Sequence, residues 1–141
     1  MHLRRAGRSD LEQLLRWSRD FEHGAHGEPF IERTLAEFER SPGRGEIVIL
    51  ETPAPVGYAI LVSWWSNEFR GEALLLDELY VAPEHRGGTG MAALRAIEEL
   101  ARSRGVKLLS LEVLPETPRV HSLYQRAGYT TGRTLYQRRL T

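Results

Sequence analysis

The period of the apolar positions changes along this chain, and each change marks an element. Leu11, Leu14 and Leu15 share a helical face with Ser18. They follow Ser9-Asp10-Leu11-Glu12, which reads as a capping box, so a first helix is predicted to about Glu22. The stretch His23-Gly24-Ala25-His26-Gly27 breaks it. Pro29 suits the first turn of a second helix with Ile31, Leu35 and Phe38 on its buried stripe, and Ser41-Pro42-Gly43 ends that helix. The spacing then turns strand-like. Residues 46–50, 56–65 and 73–81 read as strands, parted by Thr52-Pro53-Ala54-Pro55 and by the polar stretch 66–72. An antiparallel meander is the simplest arrangement of the three.

After Val81 the organisation differs. The loop 82–88 opens a helix over about 90–103, with Met91, Leu94, Ile97 and Leu100 or Ala101 inward and Gly105 placed to end it. Residues 107–113 form the next strand, so the unit reads strand–loop–helix–strand, a right-handed parallel crossover. Residues 118–127 read as a last helix closed by Gly128, and 129–140 as one or two final strands. The whole is an α/β (α+β) chain with a mixed sheet, and 141 residues suit a single domain over 1–141.

Composition narrows the function. An apolar fraction of 41% and a charged fraction of 27% are those of an ordinary globular protein. Nineteen basic side chains balance nineteen acidic ones, which gives no general reason to expect nucleic acid or an anionic membrane as partner. With no cysteine, disulfides, thiolate zinc sites and a cysteine nucleophile are excluded. Met1-His2-Leu3-Arg4-Arg5 runs into polar residues, and no run has the length of a membrane span, so cytoplasmic residence is the default expectation.

The densest chemical signal is His85-Arg86-Gly87-Gly88-Thr89-Gly90 at a helix start. A helix N-terminus carries unpaired amides and partial positive charge, which attract phosphate. Glycines let the backbone approach the anion, and Arg86 adds a fork of donors. Arg86 to Met91 therefore looks like a pyrophosphate cradle, although a strand-to-helix turn that binds nothing has the same glycines. Gly88, Gly90 and Ala93 also satisfy a dinucleotide fingerprint, with Glu112 at the end of the next strand. Against that, five residues separate the preceding strand from the glycines, and too little chain follows for a doubly wound sheet. A Walker loop is excluded because no Gly-Lys-Ser/Thr follows.

Residues Leu76-Asp77-Glu78-Leu79-Tyr80-Val81-Ala82-Pro83-Glu84-His85-Arg86-Gly87-Gly88-Thr89-Gly90 resemble the acetyl-CoA-binding motif of the GNAT superfamily of N-acetyltransferases. Ser122-Leu123-Tyr124-Gln125-Arg126-Ala127-Gly128-Tyr129 is similar to that superfamily's C-terminal motif, and the order of elements agrees over nearly the whole chain. Aligning Gly88 and Gly90 puts His85 where the family has Gln or Arg. Counting from Pro83 puts Arg86 there, with a loop one residue shorter; Pro118 stands where many members have Asn. The resemblance implies a mostly antiparallel sheet of six or seven strands flanked by about four helices. It further implies acetyl-CoA as cosubstrate without a metal, direct attack by an amine, a small-molecule or peptide acceptor and, as in many members, a homodimer. Leu79, Tyr80 and Val81 would then pair with the pantetheine arm through their backbone, an amide near Leu79 would face the oxyanion, and Arg86, Gly87, Gly88, Thr89, Gly90 and Met91 would hold the pyrophosphate.

Acyl transfer to an amine needs a base, an oxyanion donor and a proton for the leaving thiolate. Asp77 and Glu78 are adjacent carboxylates in an apolar strand, where unpaired charge is costly. Strand alternation sends them to opposite faces unless a bulge intervenes; each is a base candidate, and a scaffold pair with arginine is the plainer role. Tyr124 matches the family's thiolate-protonating tyrosine, and a phenol with an ordinary pKa near 10 stays protonated at neutral pH; core packing is the alternative. Trp64 and Trp65 precede the motif strand, where the family builds its acceptor pocket, and core packing fits one of them equally well. His23 and His26 have metal-like spacing without a third ligand, and His121 carries no assigned role. The leading expectation is an N-acetyltransferase. The alternatives are a catalytically idle acyl-CoA-binding module and a dinucleotide-binding fragment.

Overall fold

A computed structural model describes residues 1–22 and 30–141 of the protein. Five strands form one sheet in the order β1 (His2–Arg5), β2 (Gly45–Glu51), β3 (Pro55–Ser66), β4 (Gly71–Val81) and β5 (Leu108–Leu111). Neighbours from β1 to β4 are antiparallel, and β4 with β5 is parallel. The meander and the parallel crossover are both present as predicted. Helices α1 (Leu11–Glu22) and α2 (Ile31–Arg40) cover one face of the sheet, and α3 (Thr89–Ser103) covers the other, joined by α4 (Pro118–Arg126).

Each face buries the apolar stripe that its helices predict. Leu14 and Trp17 of α1, with Ile31, Leu35 and Phe38 of α2, pack on Ile47, Ile49, Tyr58, Ile60 and Tyr80. Leu94, Ile97 and Ala101 of α3 pack on Val48, Ala59, Leu61, Leu74 and Leu76. Apolar burial on both faces, at about 25 cal/mol per Å², is the main favourable term holding the layers together. Among the described residues no helix is long and apolar enough to cross a membrane.

Three local expectations differ from the structure. Among the described residues the sheet has five strands, not six or seven, because residues 129–141 form no ladder. Tyr129 is held to α4 by its amide, which donates to the Tyr124 carbonyl at 3.0 Å, and Arg133 is drawn by its ion pair to Glu68 in the β3–β4 turn. Beyond them the apolar residues Leu135, Tyr136 and Leu140 do not alternate, so pairing would bury no continuous face. Secondly, β1 forms from a stretch with one apolar residue; Arg4 secures it by donating from Nε to Glu51 of β2 at 2.9 Å. Finally, the reciprocal bond at the first helix is made by Asp10, not Glu12. Its Oδ2 accepts from the Gly7 amide at 2.9 Å, while Arg4 holds the same carboxylate at 2.9 and 3.0 Å. Glu12 points to solvent and pairs with Arg16. The second-helix start at Pro29 lies outside the described residues.

Candidate active site

The site begins where two parallel strands part. β4 pairs with β5 from Ala73↔Leu108 to Leu76↔Leu111, then continues to Val81 with no strand on that side among the described residues. On its other side β4 stays paired with β3 up to Gly57↔Val81. The backbone from Leu79 to Val81 is thus an edge with no partner strand among the described residues, able to pair with an extended amide-bearing ligand as with a strand.

This edge leads to the glycine turn and α3. Gly87 and Gly88 have φ of +100° and +101°, in the left-handed region that side chains disfavour, and a Cβ on either would meet nothing within 4 Å. Gly88 is the N-cap of α3, so the amides of Thr89, Gly90 and Met91 open into the turn without in-helix acceptors. The Thr89 hydroxyl donates to the His85 carbonyl and braces the loop. Arg86 is anchored by Nε to the Val81 carbonyl at 3.0 Å, which leaves its terminal nitrogens at the exposed rim. An anion with two phosphates and an amide-rich arm fits this arrangement.

α4 closes the same region. A Cβ on Gly90 would lie 3.6 Å from Leu123 Cδ2, which places α4 against the start of α3. Tyr124, next in sequence, is half-buried against the α3-side core and meets Tyr129 edge-on at 5.8 Å between ring centroids. Burial pushes its phenol above the ordinary value, so it keeps its proton at neutral pH. Pro118 occupies the first turn of α4 behind Thr117, whose hydroxyl donates to the Leu114 carbonyl at 2.7 Å. The His121 ring lies 2.9 Å from that carbonyl, a local structural bond.

The two carboxylates are separated by a bulge. Leu61 faces Leu76 and Ile60 faces Glu78, so Asp77 is the extra residue on β4. Strict alternation from Leu76 would send Glu78 to the α3 face. The bulge instead turns it to the α1/α2 face, where it accepts from the Tyr58 hydroxyl at 2.8 Å; Asp77 is exposed. Tyr80, two residues on, shares the face, and its hydroxyl donates to Asp20 of α1 at 2.9 Å. Burial, with the Asp20 bond second, pushes the Tyr80 phenol up to about 12.

The structure brings Glu78, the β4 edge, the glycine turn and Leu123 of α4 to one end of the sheet. Trp64 and Trp65 lie at the other end, paired with Ala73 and Glu72 and exposed at 42% and 65%. Trp64 is roughly 17 Å along β4 from Glu78, at about 3.4 Å per residue. His23 and His26 lie outside the described residues. Trp17, Asp20 and Tyr58, which the motifs do not include, surround the Glu78 face. The one sequence signal for them was the three-residue spacing of Trp17 and Asp20 on α1, with a tyrosine inside β3.

The sheet is thus mostly antiparallel and splayed between β4 and β5, with a glycine turn feeding α3 from the splay. Residues 11–129 match the model of the acetyltransferase (GNAT) family, and the chain belongs to that family. It is 32% identical over 101 residues, 71% of this chain, to a thialysine N-epsilon-acetyltransferase of Bos taurus, and 29% identical to its Sus scrofa counterpart. The matched stretch spans 56% of each, about half the length of these curated relatives. An integron cassette protein from the mobile metagenome of Cole Harbour salt marsh superposes with a TM-score of 0.80 at 29% identity, over 99% of this chain and 90% of that one. A ribosomal-protein-alanine N-acetyltransferase from Brucella melitensis shares the fold at 16% identity, with a TM-score of 0.79 over 99% and 100% of the two chains.

Proposed function

We propose that residues 1–141 act as one acetyltransferase domain that moves the acetyl group of acetyl-CoA to a primary amine of a small molecule or peptide by direct attack. The observation that carries this reading is the bulge at Asp77, which turns Glu78 to the α1/α2 face just where β4 runs past the end of β5. Bound acetyl-CoA supplies the acetyl group as an activated thioester. Leu79, Tyr80 and Val81 pair with its pantetheine arm through their backbone, while Arg86 and the amides of Gly87, Gly88, Thr89, Gly90 and Met91 hold its pyrophosphate. Glu78 takes the proton that the attacking nitrogen releases as the C–N bond forms. Tyr124 gives its hydroxyl proton to the sulfur as the C–S bond breaks. Asp77, exposed beside Glu78, adds negative charge that draws a cationic amine toward the site. Trp64 and Trp65 serve the acceptor in this reading only as a distant surface.

The curated relatives' names place thialysine first among acceptors to test. The experiment is free-thiol release from acetyl-CoA in the presence of thialysine, polyamines, amino acids and N-terminal peptides. Turnover with one amine class, lost in Glu78→Gln, supports the reading. Tight acetyl-CoA binding without turnover on any amine would support the idle binding module instead.

A further inference from the structure

Tyr58 is fully buried, at 0% exposure, in a stack with Trp17 at 6.3 Å and Tyr80 at 5.6 Å between ring centroids. Packing alone would be served as well by phenylalanine, which brings no hydroxyl into the core. The hydroxyl is instead spent on Glu78, to whose Oε2 it donates at 2.8 Å. We propose that Tyr58 is a positioning residue for acetyl transfer, its phenol holding the Glu78 carboxylate ready to take the amine proton. The proposal rests on the reading of Glu78 as the base.

A glutamate side chain turns about three bonds, and most of its rotamers would carry the carboxylate away from an amine at the β4 edge. The Tyr58 ring is locked by its neighbours, so the bond transmits the order of the core to a half-buried carboxylate. Oε2 is the atom that the phenol holds. The bulge is the second half of the device. If Asp77 were paired in a regular ladder and not bulged out, alternation from Leu76 would put Glu78 on the opposite face from Tyr58. Tyr80, in the same stack, makes the corresponding bond to Asp20, so each phenol serves a different carboxylate.

The test is a double-mutant cycle read by steady-state kinetics with the best acceptor. Tyr58→Phe is expected to lower kcat about tenfold, the scale of a lost bond to a charged group, with KM for acetyl-CoA unchanged. In a Glu78→Gln background the same change is expected to have no further effect on kcat. Wild-type kcat in Tyr58→Phe, or an equal loss in both backgrounds, would overturn the positioning role alone. Full activity in Glu78→Gln would overturn the base reading itself, and the positioning role with it. Should Tyr58→Phe not fold, Glu78→Asp keeps the charge but withdraws it from the phenol by one methylene. A similar tenfold fall in kcat is expected there, and an undiminished kcat would overturn the proposal.

Discussion

Protonation at single residues sets what the site can do. Tyr124 has its phenol raised by burial, and it keeps its proton through the whole neutral range. Because a raised phenol favours the neutral form in the folded state, its stabilisation is present below about pH 10 and lost above it. Tyr124→Phe is expected to lower kcat about a hundredfold while acetyl-CoA affinity by calorimetry is unchanged. Unaltered kcat would remove Tyr124 as the acid. Asp10 shows the opposite sign: the Arg4 guanidinium holds its carboxyl below the usual range, aided by the Gly7 amide. Its stabilisation is therefore present at neutral pH and lost as pH falls below about 4. Asp10→Asn is expected to cost up to about 1 kcal/mol in urea unfolding at pH 7, because the amide can still accept from Gly7 but no longer pairs with the Arg4 cation. The gap to the unaltered protein should close in acid; a gap independent of pH would refute the assignment. Asp77, Glu78 and Tyr124 were legible as candidates because a charged pair in an apolar strand and a tyrosine in a motif stand out. Tyr58 and Asp20 were not, since a hydroxyl inside β3 and an acid late in α1 look like any others until the fold joins them to β4.

At the scale of elements, the glycine turn depends on backbone conformations that side chains oppose. Gly88 at φ +101° has open space around it, so a methyl group there meets no atom but must adopt the left-handed region, at about 1–2 kcal/mol. Gly88→Ala is expected to weaken acetyl-CoA binding about tenfold by calorimetry, through the shifted start of α3; unchanged affinity would show that the turn does not hold the phosphates. Gly57 is constrained differently. A Cβ there would lie 2.0 Å from the Tyr80 carbonyl oxygen, where β3 and β4 meet beside the site. Gly57→Ala should therefore destabilise the protein by about 1–3 kcal/mol in thermal unfolding, the usual penalty of overpacking. The glycine turn was visible in the letters because glycine before a helix is rare without cause. The bulge was visible only as a conditional: adjacent acids share a face if one extra residue enters the ladder, and partner strands decide that.

For the whole molecule, the two-faced sheet makes ligand binding a stability term. A ligand that binds only the folded chain stabilises it by about 2.7 kcal/mol at a hundred times its Kd. Acetyl-CoA at that level is expected to raise Tm by about 5–10 °C, at roughly 2–4 °C per kcal/mol for a chain of this size. NAD at the same concentration is expected to leave Tm unchanged; a shift with NAD and none with acetyl-CoA would return the glycine turn to the dinucleotide reading.

The letters alone determined the helices, the meander, the crossover and the glycine turn before α3, because local periodicity, caps and glycines act within a few residues of themselves. The tertiary structure decided the rest. Residues 129–141 stay outside the sheet because their apolar positions do not alternate, and β1 joins it through one arginine paired across strands. Glu78 rather than Asp77 meets Tyr58 because the register of β3 against β4 slips by one residue between Ile60 and Leu61. Register, face and partner are properties of two segments held together, and neither segment carries them by itself.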